Sequence, residues 1–272
     1  MPRAADVLID SLKVQDVDRV FCVPGESYLG AIDALYDAPE IDIVRVRHEG
    51  GGGFMAVADA KYTGQTGVEF VSRGPGATNA SIGVHVAQQD AVPIVLFVGQ
   101  VARGDIGRGA FQEVNYVKTF SDMAKLVIEI RDPDKLAGSV QQAFYTANAG
   151  TPGPVVVSLP EDMLLEETQV GAKPASREVM PKPNAGEISE LCRRLANAER
   201  PIIIAGGQVG FEEGREALRS VAEIWGLPVA VAWRRQDIFD HSHPNFACHL
   251  AFNSPPVFRE TLNEADLVVA IG

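Results

Sequence analysis

Apolar runs that alternate with helix-spaced stretches constrain this chain more than any other feature. VPIVLFVG (92–99) is apolar throughout, the pattern of a strand covered on both faces, and PVVVSLP (154–160) is another apolar strand. IDIVRVR (41–47) and GVEFVS (67–72) are shorter runs of the same kind, and so is Arg19–Val23, which Pro24-Gly25 stops. Between them, Ala4, Ala5, Leu8, Ile9 and Leu12 recur at helical spacing. Residues 27–37, with Ser27 as a candidate N-cap, residues 54–63, the stretch after GPGATN, and residues 133–148 also predict helices. Strand and helix in turn imply an α/β fold: a doubly wound, mostly parallel sheet with helices on both faces.

The pattern breaks after residue 160. EDMLLEETQVGAKPASREVMPKPNAG is polar and Pro-rich and has no period, which predicts an interdomain linker over 166–185. It separates a first domain, 1–165, from a second α/β unit, 186–272. The second unit runs as helix 186–198, strand PIIIAGG, helix 212–225, strand PVAVAW and strand ADLVVAIG. A final strand there would be an edge with little helical cover. The second domain is therefore expected to be incomplete, a piece of a longer protein.

Composition narrows the function. The net charge of −12 disfavours sequence-independent nucleic-acid binding and attachment to anionic membranes. No apolar run reaches the ~18 residues of a membrane span, and the N-terminus lacks the apolar core of a signal peptide. Cys22, Cys192 and Cys248 are too scattered for a disulfide framework or a Cys-rich zinc site. A soluble, cytoplasmic protein is the default expectation.

HEGGGG (48–53) is the most unusual local stretch. Glu49 follows a strand end, where ligand sites of open α/β sheets gather, so it is a candidate acid/base or ligand hydrogen-bonding group. The plainer reading is a surface glutamate favoured by a helix N-terminus. GPGATN (74–79) can let backbone N–H groups approach a ligand, or can be a tight strand-to-helix turn. It matches neither GxGxxG nor the P-loop. AFQEVN (110–115), after the glycine-spaced RGDIGRG, is either a site-covering loop or a solvated connection. His241, His243, His249 and Cys248 fit no common zinc spacing, so no metal ligand is assigned. Gly206-Gly207 reads better as a strand-to-helix turn than as a nucleotide contact.

Taken together, VFCVPGE (20–26), RHE (47–49), GPGATN, DAVPIVLFVGQV (90–101), GAFQEV (109–114), TPGPVVVSLPED (151–162) and WRRQDIFDHSHPNF (233–246) resemble thiamine-diphosphate-dependent enzymes of the acetolactate synthase and pyruvate oxidase group. The resemblance runs almost the full chain. It implies that residues 1–165 are the pyrimidine-binding domain and that residues from 186 begin the central domain. It makes Glu49 the catalytic carboxylate that hydrogen-bonds N1′ of the cofactor's aminopyrimidine, favouring the imino tautomer that deprotonates the thiazolium C2. Pro24, Gly25 and Glu26 would line the pyrimidine pocket with Gly76 and Asn79, and Phe111 and Gln112 would lie toward the substrate.

The resemblance also implies thiamine diphosphate as cofactor, a 2-oxo acid such as pyruvate as substrate, and a homodimer or homotetramer. Members of this group hold Mg²⁺ and the diphosphate with a Gly-Asp-Gly motif and a later Asn. This chain lacks that pair, so Mg²⁺ is expected through a domain absent from it. Where the group commonly has Gln-Gly-Ala after the glutamate, this chain has Gly50-Gly51-Gly52-Gly53. Bulky Trp233, Arg234 and Arg235 stand where flavin-binding members carry a small turn, so FAD is not expected. A non-catalytic or split subunit that needs a partner chain is the alternative.

Overall fold

The computed structural model describes residues 1–176 and 182–272, and the chain divides into two compact units, Met1–Val179 and Met180–Gly272. Residues 177–181 of the expected linker lie outside the described residues.

The first unit is built on β1 (Arg19–Cys22), β2 (Asp42–Arg45), β3 (Gly67–Val71), β4 (Ile94–Gln100), β5 (Leu126–Glu129) and β6 (Pro154–Pro160). They form one sheet in the order β2-β1-β3-β4-β6-β5, with every pairing parallel. Its helices are α1 (Ala4–Val14), α2 (Leu29–Tyr36), α3 (Glu49–Thr63), α4 (Gly74–Asp90), α5 (Tyr116–Phe120) and α6 (Leu136–Asn148).

Period-two alternation sorts the central strands between two layers. Val95 and Phe97 join Val155 and Val157 under α1, α2 and α6. Leu96, Val98 and Val156 face α4 and α5, while Phe21 and Ile94 pack with α3. The expected doubly wound α/β sheet is present. Its strand order reverses between β1 and β3, and in such sheets the crevice outside the carboxyl ends of the strands at that point receives ligands.

Three details depart from the sequence reading. The helices begin earlier than residues 54–63 and the stretch after GPGATN: α3 begins at Glu49 and α4 at Gly74, so the glycines form the first helical turns. Tertiary packing overrides their poor propensity, because a Cβ on Gly83 would lie 2.6 Å from the Cα of Gly53 where α3 and α4 cross. Ser27 caps nothing; it lies in a short 3₁₀ turn, Glu26–Tyr28, ahead of α2, fully buried. The half-buried edge strand β5 and the five-residue α5 carry too few residues to show a period.

Part of the expected linker packs on the first unit. The Thr168 N–H donates to the Pro2 carbonyl, its hydroxyl donates to Asp134, and Val170 rests on the core.

The second unit holds α7 (Ala185–Asn197), β7 (Pro201–Ala205), α8 (Glu212–Trp225), β8 (Val229–Val231), β9 (Phe246–His249), α9 (Pro256–Glu264) and β10 (Leu267–Ile271). Its parallel sheet has the order β10-β7-β8-β9. The HSHPNFACH stretch ends in strand β9, where Phe246 and Cys248 pair with Val229 and Ala230 of β8 and pack into the unit's two core clusters.

Candidate active site

The C-terminal ends of β1 and β3 carry the candidate residues to one place. After β1 come Pro24, exposed, then Gly25 and Glu26. A Cβ on Gly25 would lie 2.7 Å from the Ser72 Cβ, so only glycine lets the β1 turn meet the end of β3. The Ser72 hydroxyl in turn pairs with that of Ser27 at 3.1 Å. Glu26 accepts from the nearly buried Arg73 guanidinium, which also reaches Glu161 at 3.5 Å.

β2 delivers Glu49 from the other side. His48 is the N-cap of α3, its Nδ1 accepting from the Gly50 N–H at 3.0 Å, so Glu49 is the first helical residue. A carboxylate there is favoured by the helix dipole. Its Oε2 accepts from the Asn79 amide of α4 at 2.9 Å. Its Oε1 turns toward Gly76, where a Cβ would stand 3.4 Å away. Glu49, Gly76 and Asn79 therefore meet across the α3–α4 junction, half-buried at one side and open at the other.

The loop after β4 closes a further edge. Gln112, at φ +63°, accepts through its carbonyl from the Gly74 N–H at 3.0 Å, which ties the loop to the start of α4. The Glu113 carboxylate accepts from the N–H groups of Gly107, Gly109 (3.0 Å) and Ala110 (3.1 Å). These donors, Gly107 first, hold the carboxyl below its usual range. Phe111, at the loop tip, is 75% exposed. The structure thus joins Gly25, Glu26, Glu49, Gly76, Asn79 and Gln112 through contacts around one crevice. Pro24 and Phe111 are exposed.

Sequence reading missed Glu69, a charged residue inside the buried strand GVEFV. It is 1% exposed and points at α3, where Cβ atoms on Gly52 and Gly53 would lie 2.4 and 3.2 Å from its carboxylate oxygens. Burial, then the nearby Glu49 charge, pushes its carboxyl up to about 9. Arg73 was missed as well. A lone charge in an apolar run, and an Arg between the strand and GPG, were the available signals.

Among the described residues no group of three or more His, Cys, Asp or Glu is placed to hold a metal. His241 stacks on Phe246, while His243 meets Glu223 at 3.1 Å and accepts from the Asn245 N–H. The Cys248 thiol points at the His249 carbonyl. In the second unit the Arg235 guanidinium fills the space over Gly207 and Gly210 and pairs with Asp237. No helix among the described residues is long and apolar enough to cross a membrane.

Comparison with known proteins places the chain in a family. Residues 2–119 match the N-terminal TPP binding domain of thiamine pyrophosphate enzymes, and residues 188–272 match their central domain. The chain belongs to the thiamine pyrophosphate enzyme family. It is 33% identical over 274 residues to the acetolactate synthase of Mycobacterium bovis, covering 98% of this chain and 44% of the relative. The large subunit of acetolactate synthase isozyme 3 of Escherichia coli is 32% identical over 278 residues, covering 100% and 48%. A probable acetolactate synthase large subunit of Methanocaldococcus jannaschii is 31% identical over 277 residues, covering 99% and 47%. The chain thus spans just under half the length of these curated relatives. The N-terminal match contains every residue of the crevice named above except Glu161.

Proposed function

We propose that this chain supplies the aminopyrimidine side of the active site in a thiamine-diphosphate-dependent 2-oxo acid decarboxylase or carboligase of acetolactate synthase type, with a substrate such as pyruvate. One observation carries the reading. Glu49 is fixed at the start of α3 with one oxygen held by Asn79 and the other turned toward a glycine-walled opening.

The residues present fit the cofactor's ring. A side chain at Gly25 would strike Ser72, and one at Gly76 would stand against Glu49 Oε1, so both glycines keep the approach to Glu49 open. When bound, thiamine diphosphate supplies the electron sink for loss of CO₂ from a 2-oxo acid. Glu49 holds a proton at the ring's N1′ through a hydrogen bond, and Asn79 fixes the rotamer from which it does so. Such a bond acts best away from competing water, and the α3–α4 junction shields one side of it. The Arg73 pair holds the turn that carries Gly25 and Glu26. The Glu113-braced loop places Gln112 and Phe111 toward the substrate.

For Mg²⁺ and the diphosphate, the sequence lacks the Gly-Asp-Gly motif, and among the described residues no group of three or more His, Cys, Asp or Glu is placed to hold a metal. We assign them to another part of the native assembly, either a further domain or a partner chain. The half-length match to the relatives favours this division. Phe54 and Met55 on α3 and Ile82 on α4, each over 40% exposed, support an assembly of at least two copies that covers these helices. We place no FAD in the second unit, because Arg235 occupies the glycine turn that would approach it.

The test is turnover of 2-oxo acids, pyruvate first, by the native protein with Mg²⁺ and thiamine diphosphate, alongside Glu49→Gln. The variant is expected to fold normally and lose turnover. Full activity in the variant overturns the assignment. The intact mass of the native protein separates the two arrangements: about twice the 29.1 kDa of this chain for a longer enzyme, and 29.1 kDa for a chain that needs a partner.

A further inference from the structure

Glu69 is not used by the chemistry proposed above, yet the chain is shaped around it. It occupies the middle of β3, in register with Phe21 of β1 and Leu96 of β4, both apolar and buried. Its Oε1 is buried and has no hydrogen-bond partner. An ionised carboxylate with a bare oxygen in such a place is strongly disfavoured, whereas a protonated carboxyl is tolerated.

The space for it is made by α3. Gly52 and Gly53 stand three and four residues after Glu49, which puts all three on one stripe of the helix. Any side chain at Gly52 would strike Glu69 Oε1, and one at Gly53 would crowd Oε2. The run of glycines therefore admits a second carboxyl beneath the stripe that carries the first.

We propose that Glu69 is a positioning residue for Glu49, a proton-bearing second carboxyl that governs how the Glu49 end of α3 accepts the cofactor's aminopyrimidine as pH changes. The inference rests on the proposed role of Glu49.

The groups facing Glu69 are few. From α3 it meets the Glu49 charge and the Gly53 N–H. From β1 comes the Cys22 thiol, itself pushed up by burial, and from the 3₁₀ turn the Tyr28 hydroxyl, pushed up for the same reason. Arg45 acts on Cys22 from β2. Among the described residues no cation pairs with Glu69. Cofactor binding would shield Glu49 further from water, so the two carboxyls must retain a proton between them for binding. Above the pH at which Glu69 ionises, binding has to take up a proton. Affinity then falls by up to tenfold per pH unit.

Two measurements on the native protein test this. The first is an infrared titration of the buried carboxyl, assigned by its loss in Glu69→Gln. In wild type the midpoint is expected near 9, and in Glu49→Gln it is expected lower, because the neighbouring charge is gone. The same midpoint in both overturns the pairing. The second is thiamine diphosphate affinity with Mg²⁺ across the same pH range. Wild type is expected to weaken above the break and Glu69→Gln to lose that break. Parallel profiles in the two proteins overturn the positioning role. A wild type that binds no thiamine diphosphate at any pH overturns the functional reading itself, and the inference with it. A wild type that binds but gives profiles parallel to those of Glu69→Gln overturns the inference alone.

Discussion

Glu69→Gln tests the buried carboxyl as a matter of folding, independent of any cofactor. The native state holds this proton up to about pH 9, while the unfolded chain releases it at the ordinary 4.5. Between those values the folded protein carries one proton more than the unfolded one. Stability therefore falls as pH rises, by about 1.4 kcal/mol per pH unit. The contribution is intact below 4.5 and is lost progressively up to 9. From pH 6 to pH 8.5 the wild type should give up about 3 kcal/mol through this group alone.

A glutamine of the same shape cannot titrate. Its second N–H costs about 1–3 kcal/mol if left unpaired, but that offset does not change with pH. The decisive quantity is thus the difference in stability between variant and wild type, followed from pH 6 to 8.5. It should move about 3 kcal/mol in favour of the variant. Denaturant unfolding of the first unit, read by near-ultraviolet circular dichroism, measures it. A constant difference between the two curves would mean that Glu69 is ionised in the native state, and the account of the glycine run would fail with it.

Three other outcomes follow from the geometry. Gly83→Ala should destabilise the first unit by about 1–3 kcal/mol, although alanine favours a helix by about 1 kcal/mol, because its Cβ meets backbone at Gly53; thermal unfolding that shows stabilisation would refute the close crossing. Glu113→Gln should speed amide exchange at Gly107, Gly109 and Ala110, and in wild type the same loosening should appear only as pH falls below 4.5, since the folded carboxyl sits under its usual range; unchanged exchange would show that the loop is braced elsewhere. Zn²⁺ and EDTA should leave the unfolding temperature of the second unit unchanged, since His241 and His243 are engaged with Phe246, Glu223 and Asn245; a rise with Zn²⁺ would restore the histidine cluster as a metal site.

The doubly wound sheet was legible because strands buried on both faces read as near-continuous apolar runs, as 92–99 and, but for Ser158, 154–160 do. Edge strand β5 and strand β9 were not, because short half-buried runs carry no such signature. Of the candidate site, the residues that sit in motifs were found: Glu49, Gly76 and Asn79 meet as a group, and Gly25 and Gln112 reach it through Ser72 and Gly74. What could not be read was each residue's need of another far away in the chain. Nothing in EGGGG names Glu69, and nothing in GVEFV names Gly52.

That pairing answers why a helix should open on four glycines at a cost of about 0.5–1 kcal/mol for each one in its interior. Gly50 packs against the Asn79 carbonyl, Gly52 and Gly53 make room for Glu69, and Gly53 also admits Gly83. Gly51 is different, for a Cβ there would meet nothing within 4 Å. Packing inside the first unit therefore accounts for three of the four glycines and leaves Gly51 without a reason. Gly51→Ala separates the two kinds. On helix propensity alone it should stabilise the isolated fold by up to about 1 kcal/mol, whereas Gly52→Ala should destabilise it through the contact with Glu69. If Gly51→Ala also weakens thiamine diphosphate binding or assembly of the native protein, then something outside these residues approaches α3 at Gly51. If it is silent in both, the glycine at 51 serves no packing or binding role, and the run is explained by its other three members.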